Sequence, residues 1–139
     1  MTVISKDLHF STKGRCDIID ITDDVQETIA HMPVSDGIVL VFVIGSTAGI
    51  TTVEYEPALV KDLNDLFEKL IPSSKTYAHD ATWGDANGYS HLRASLLKSG
   101  EVFPFTKKKL ILGTWQQIIL IDFDNRSRKR HIVVQAIGE

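Results

Sequence analysis

A carboxylate, an amide, a titratable base, a fixed cation and a hydroxyl fall together in Asp85-Ala-Asn-Gly-Tyr-Ser-His91-Leu-Arg93-Ala-Ser95. These types, Asp85, Asn87, His91, Arg93 and Ser95, suit the orientation of a polar or anionic ligand. A helix starting near Asn87 or Gly88 would add free N–H groups for an anion. The competing reading is an Asp/Asn/Gly loop that caps a helix, with His91 satisfied in the interior. His79 precedes His91, with Asp85 between them. These three can ligate zinc or another divalent ion, although their spacing matches no standard zinc motif. Two unrelated surface histidines are the alternative.

Three further stretches carry chemistry. Gly45-Ser46-Thr47-Ala-Gly49 follows an apolar run; small residues let a ligand approach the backbone, and two hydroxyls can donate to phosphate oxygens. No Gly-Lys-Ser/Thr follows, so it is not a Walker loop, and a bulge or kink in a long strand is the plainer reading. In Gly113-Thr-Trp115-Gln116-Gln117, the indole could stack on a flat ring while an amide reads its edge; equally, Trp115 fills the core and Gln116 satisfies a bulge. Arg126-Ser-Arg-Lys-Arg-His131 reads as a solvated turn, with phosphate or RNA contact the weaker alternative. Cys16 reads as a small buried hydrophobe.

The elements that must hold these groups are mostly strands. Leu8 and Phe10 alternate with polar residues, Lys13-Gly14 reads as a turn, and Cys16 to Ile21 as a short strand. Asp23 is the predicted cap of a short helix, with Gln26 completing a capping box and Val25, Ile29 and Met32 on one face. Pro33 stops it. Ile38 to Ile44 is apolar without alternation, which predicts a central strand buried on both faces. Ile50 to Tyr55 reads as a strand. Pro57 opens a helix with Glu54 and Glu56 near its positive end, Leu59, Leu63, Leu66 and Leu70 form its stripe, and Pro72 marks its end. Ser73 to Tyr89 is polar and without period, a loop length that often serves function. His91 to Leu97 reads as a short helix. Val102 to Phe105, Lys109 to Leu112, Gln117 to Phe123 and His131 to Ile137 read as strands, the last two joined by a hairpin turn at Asp124 to Arg128. The sum is one α+β domain over residues 1–139, with mostly antiparallel sandwich- or barrel-like sheets and one or two packed helices.

Composition narrows the class. The chain has 139 residues, a size for one domain, with 43% hydrophobic and 24% charged residues. No apolar run approaches the roughly 18 residues of a membrane helix. The first residues show no basic-then-apolar leader, so a cytoplasmic location is expected. One cysteine excludes an internal disulfide. A net charge of −3 argues against general nucleic-acid binding.

Together, Gly45-Ser-Thr-Ala-Gly-Ile50, Glu54-Tyr-Glu-Pro57, Asp85 to Ser95, Leu112-Gly-Thr-Trp-Gln-Gln117 and Val133-Val-Gln-Ala-Ile-Gly-Glu139 resemble the YjbQ-type family, in the family's order and over nearly the whole chain. The resemblance implies a β-rich domain that forms homotrimers with sites near subunit contacts. It also implies a thiamine-phosphate synthase activity: a hydroxymethylpyrimidine diphosphate joins a thiazole phosphate and pyrophosphate leaves. Under that chemistry Arg93, Ser46 and Thr47 would donate to the diphosphate, and Asn87, Ser95 and Gln116 would help bind substrate. Trp115 would stack on a ring, and His91 would move a proton or bind metal. Asp85 or Glu54 would act in catalysis or hold a divalent ion, zinc or magnesium, with His79. A non-catalytic trimer that binds a phosphorylated metabolite or a metal is the alternative. Two departures bear on the metal. Many members carry His-Thr-Thr where this chain has Gly45-Ser46-Thr47, and His-x-His where it has Tyr89-Ser-His91.

Overall fold

The computed structural model describes residues 1–139. Eight strands and four helices follow in the order β1 (Thr2–Thr12), β2 (Asp17–Asp20), α1 (Thr22–Ala30), β3 (Gly37–Ile44), β4 (Ala48–Val53), α2 (Pro57–Leu70), α3 (Asp80–Trp83), α4 (Gly88–Leu97), β5 (Gly100–Thr106), β6 (Lys109–Leu110), β7 (Gln117–Asp122) and β8 (Arg128–Gly138). The expected mixed α+β fold is present. All strand pairs are antiparallel, in a five-stranded sheet ordered β1-β8-β3-β5-β6 and a three-stranded sheet ordered β2-β7-β4.

The sheets and helices form layers. The inner face of the large sheet, including Val39, Val41, Val43, Val134 and Phe103, packs on α1 and on Ile50, Ile118 and Leu120 of the small sheet. The small sheet's other face, through Ile119, Ile121 and Phe123, packs on Phe67 of α2 and Ala94 of α4. Burial of each such aliphatic side chain is worth about 1.5–3 kcal/mol. The strand buried on both faces is therefore β7, where Ile118 to Asp122 are all enclosed. The prediction that placed Ile38 to Ile44 in that role is corrected. β3 is central in its sheet, but its burial alternates: Val39, Val41 and Val43 point inward, while Ile38, Phe42 and Ile44 are exposed. Its run lacks alternation in polarity because both faces are apolar, not because both are covered.

The helices show how propensity yields to partners. α1 buries Val25 and Ile29, and Met32 follows into the same core, as the pattern predicts. The capping box does not form. The helix begins one residue before Asp23, and the Asp20 carboxylate accepts from the Thr22 N–H (3.0 Å) and hydroxyl (2.6 Å). Gln26 instead donates to the Lys108 carbonyl and accepts from the Leu110 N–H, each at 2.9 Å, tying α1 to the β5–β6 turn. α2 starts at Pro57, and the Glu56 carboxylate caps the Ala58 and Leu59 N–H groups. Its packing stripe is Val60, Leu63 and Phe67; Leu66 and Leu70 face outward.

The chain changes sheet three times at one end of the molecule. Residues 13–16 link β1 to β2, residues 45–47 link β3 to β4, and residues 123–127 link β7 to β8. The expected hairpin between the last two strands is thus a crossover between sheets; β8 pairs with β1 and β3. The crossings touch one another. Arg15 N–H donates to the Asp124 carbonyl (2.5 Å) and Phe123 N–H to the Thr47 carbonyl (2.9 Å). Gly14, at φ +73°, lies so close to the Arg126 carbonyl that a Cβ would sit 2.4 Å from its oxygen.

Candidate functional site

Sheet crossings leave polar backbone and side chains in the interior, and these must find partners. Asp122 and Asp124 flank Phe123 at the end of the most enclosed strand, and both are fully buried. Asp122 accepts from Arg130 Nε (2.8 Å) and Nη2 (2.7 Å) and from the Thr12 hydroxyl (2.5 Å). Asp124 accepts from Arg128 Nε (2.8 Å), and Nη2 of the same guanidinium lies in ion-pair contact at 2.8 Å. The Thr47 hydroxyl links the two pairs, donating to Asp124 (3.1 Å) and accepting from Arg130 Nη2 (2.6 Å). Burial works against ionisation of Asp124, yet the Asn125 N–H, Asn87, Arg128 and Thr47 together hold its carboxyl below the usual range.

A cleft of about 380 Å³ opens over this network. Its floor is Arg128, Arg130 and Thr47, and its walls include Ser46, Asn87 and His91. His79 and Asp85 lie on the same lining, and the exposed Trp83 stands at its mouth. A second hollow, about 410 Å³, adjoins it across Gly45, Ser46 and His91 and reaches Ser95. Nη1 of Arg128 and of Arg130 makes no protein hydrogen bond. The Asn87 amide donates to Asp124 (3.4 Å), which fixes its orientation and leaves Oδ1 buried without a donor.

Within the Ser73–Tyr89 segment, the Asp80 side chain ties α3 to α4. Asp80 accepts from the Tyr77 N–H and the Gly88 N–H, both at 2.9 Å, which brings the start of α3 beside the start of α4. His79 and His91 consequently meet, ring centroids 4.5 Å apart and planes at 67°. Burial depresses the His91 pKa first and the neighbouring His79 adds to this, opposed by Asp124, Asp85 and the Ser46 backbone. His91 is therefore largely neutral near pH 7.

The structure thus brings Ser46, Thr47, His79, Asp85, Asn87 and His91 to one cleft, with Ser95 in the adjoining hollow. It does not bring in the rest. Arg93 is buried on the other side of the Asp85–Tyr89 segment, bonded to Glu68 (2.9 Å) and the Ile71 carbonyl (2.8 Å). Glu54 is exposed at the end of β4. Trp115 is 72% exposed in the β6–β7 connection, where the Gln116 side chain accepts from the Gly113 N–H and donates to Thr52. The order of motifs in the chain did not reveal these distances. His79, His91 and Asp85 share the cleft lining, but no three His, Cys, Asp or Glu side chains converge as a donor set for a metal. The residues present do not fit a resident metal centre.

Asp122 and Asp124 escaped the sequence reading as site residues, and Arg128 and Arg130 entered it only within a basic turn for which phosphate contact was the weaker alternative. Two carboxylates ending an apolar strand were the available signal, since a buried carboxylate must be paired. The basic stretch from Arg126 is not a solvated turn throughout. Alternation along β8 sends Arg130 inward and leaves Lys129 outside.

The geometry defines a two-sheet α+β protein with a polar cleft where its chain crossings meet. The pattern of the family described as UPF0047 protein YjbQ-like matches residues 6–139, and the chain belongs to that family. A UPF0047 protein of Archaeoglobus fulgidus is 39% identical over 131 residues, 94% of this chain and 99% of that protein. A crystal structure of a YbjQ-like protein of unknown function from Sulfolobus solfataricus superposes with a TM-score of 0.94 at 35% identity, covering 99% of both chains. One from Clostridium acetobutylicum gives 0.82 at 33% identity, covering 94% of this chain and 99% of that one. No helix is long and apolar enough to cross a membrane.

Proposed function

We propose that the cleft binds a phosphorylated small molecule and that the protein is a transferase of the thiamine-phosphate synthase type. The observation that carries this reading is the pair of Nη1 groups of Arg128 and Arg130, open to a cleft that also holds the Ser46 hydroxyl and a neutral His91. In the reaction, the bond between the pyrimidine methylene and the diphosphate oxygen breaks. The thiazole nitrogen bonds to that methylene, and diphosphate leaves with the electron pair. The two guanidinium groups would stabilise the departing charge. A divalent ion would arrive with the diphosphate as part of the substrate, since the chain's own residues form no resident site.

The test is incubation of purified protein with both substrates and magnesium, with thiamine phosphate and pyrophosphate measured by mass spectrometry. Product formation that falls at least about a hundredfold in His91→Ala and Arg128→Met supports the reading, the loss expected for a group acting on developing charge or a moving proton. No product, or product unaffected by both variants, overturns it. One observation favours binding without turnover. Asp122 and Asp124 already neutralise both guanidinium groups, so the cleft is balanced in charge rather than strongly cationic. Saturable substrate binding without product would select that alternative.

The same reading includes self-association as a homotrimer. Val3, Ile38, Phe42, Val102 and Ile137 leave the outer face of the large sheet apolar and open across several strands. A patch of this kind on a small chain fits burial against further copies.

A further inference from the structure

A third cavity, also about 410 Å³ and distinct from the cleft and the hollow adjoining it, lies on the far side of the Asp85–Tyr89 segment. Ala86 and Tyr89 face it, whereas Asp85 and Asn87 face the cleft. Its innermost charged group is Arg93, 1% exposed and stacked on the Tyr89 ring (5.0 Å). Arg93 Nε and Nη2 are taken by the Ile71 carbonyl and Glu68, but Nη1 has no protein acceptor. That nitrogen is not wholly sealed in the interior, and its residue lines the cavity.

The remaining lining extends the pattern. Arg15 is exposed and forms no ion pair. Glu68 is the one carboxylate of the lining, and it is occupied by Ser73 and Arg93. The cavity thus has two guanidinium groups against one engaged carboxylate. Asp17 lies close to its Cys16 wall and is bonded to the Lys13 N–H. Asn64 and Asn125 donate their amide N–H groups to protein carbonyls, Val60 and Asp85, and their Oδ1 atoms accept nothing from the protein. Arg15, Cys16 and Ala86 all sit at positive φ (56°, 62° and 55°), a conformation non-glycine residues adopt only when their surroundings hold them there.

We propose that this cavity is a second ligand site, separate from the cleft, for a small phosphate ester that also carries hydroxyl or amino donors. The phosphate would take Arg93 Nη1 and the Arg15 guanidinium; the donors would take the Oδ1 atoms of Asn64 and Asn125. Asn125 is the link between the sites, because its Nδ2 donates to the Asp85 carbonyl at 2.7 Å while the residue lines the cavity.

The test follows the arginine Nε–Hε resonances by NMR during titration of the full chain with inorganic phosphate and, separately, with glycerol phosphate. The expected result is that Arg15 and Arg93 shift along one saturation curve, with glycerol phosphate the tighter of the two. Arg15→Ala, an exposed change that leaves the core alone, should weaken that curve about tenfold, a charge-assisted contact's worth, without altering any response at Arg128 or Arg130. Arg93 and Arg15 resonances that stay fixed with both probes would overturn the proposal. So would an Arg93 response that Arg15→Ala leaves unchanged. Neither result bears on the cleft, whose own arginines report independently in the same spectra.

Discussion

His79, at the N-cap of α3, and His91 of α4 meet edge to face, ring centroids 4.5 Å apart. Burial and the adjacent His79 depress the His91 pKa below its ordinary 6.5. The folded state therefore resists a proton that the unfolded chain accepts. Stability contributed by neutral His91 is present above 6.5 and is lost as pH falls from 6.5 through the depressed folded value. His79→Ala removes one cause, so the His91 resonance should titrate at higher pH in that variant. An unchanged or lower midpoint by NMR would contradict this electrostatic account.

Asp122 holds the buried Arg130 through two hydrogen bonds. Asp122→Ala leaves that charge uncompensated and should cost about 3–5 kcal/mol in urea unfolding. Adding Arg130→Met removes the orphaned charge and should recover much of the loss. A double variant no more stable than Asp122→Ala would mean that the pair is not the dominant interaction at this end.

Gly88 opens α4, and a Cβ there would lie 2.8 Å from Tyr77 Cβ and 2.9 Å from Asp80 Oδ1. Gly88→Ala should therefore displace the Asp80 clamp, costing about 1–3 kcal/mol as overpacking does. It should also raise the His91 pKa by moving His79 away. Thermal unfolding and the His91 titration check the two effects separately.

Phe42 stands in the middle of the open face of the large sheet. Phe42→Glu should leave the monomer's stability within about 0.5 kcal/mol, as exposed changes usually do. It should also reduce the mass seen in sedimentation to that of one chain. A wild-type protein that sediments as a monomer at micromolar concentration would remove the trimer from consideration.

The fold was legible where local pattern and tertiary role coincide. Pro57 opening α2 and the Val25, Ile29, Met32 face of α1 are such cases. Ile38 to Ile44 misled because an apolar outer face looks the same in sequence whether or not it is covered. The capping box at Asp23 failed because Gln26 found a long-range partner in the β5–β6 turn. In the site, the polar run from Asp85 to His91 was legible as a cluster of types. Arg93, two residues further along α4, projects to the opposite side, a difference of helical phase. Arg128 and Arg130 were hidden because their inward direction depends on β8 pairing with β1 and β3 rather than with β7.

The three chain crossings have a consequence for how such a protein tolerates change in length. Residues 45–47 line the cleft, and residues 13–16 and 123–127 border the cavity around Arg93 through Arg15, Cys16 and Asn125. One residue inserted in any of them shifts a strand in each sheet and a ligand-facing group at once. The opposite end, where Lys107 and Lys108 turn beside Ser35 and Asp36, carries no residue of either cavity. Loop lengthening, tags and grafted peptides belong at that turn, where they leave both cavities in register.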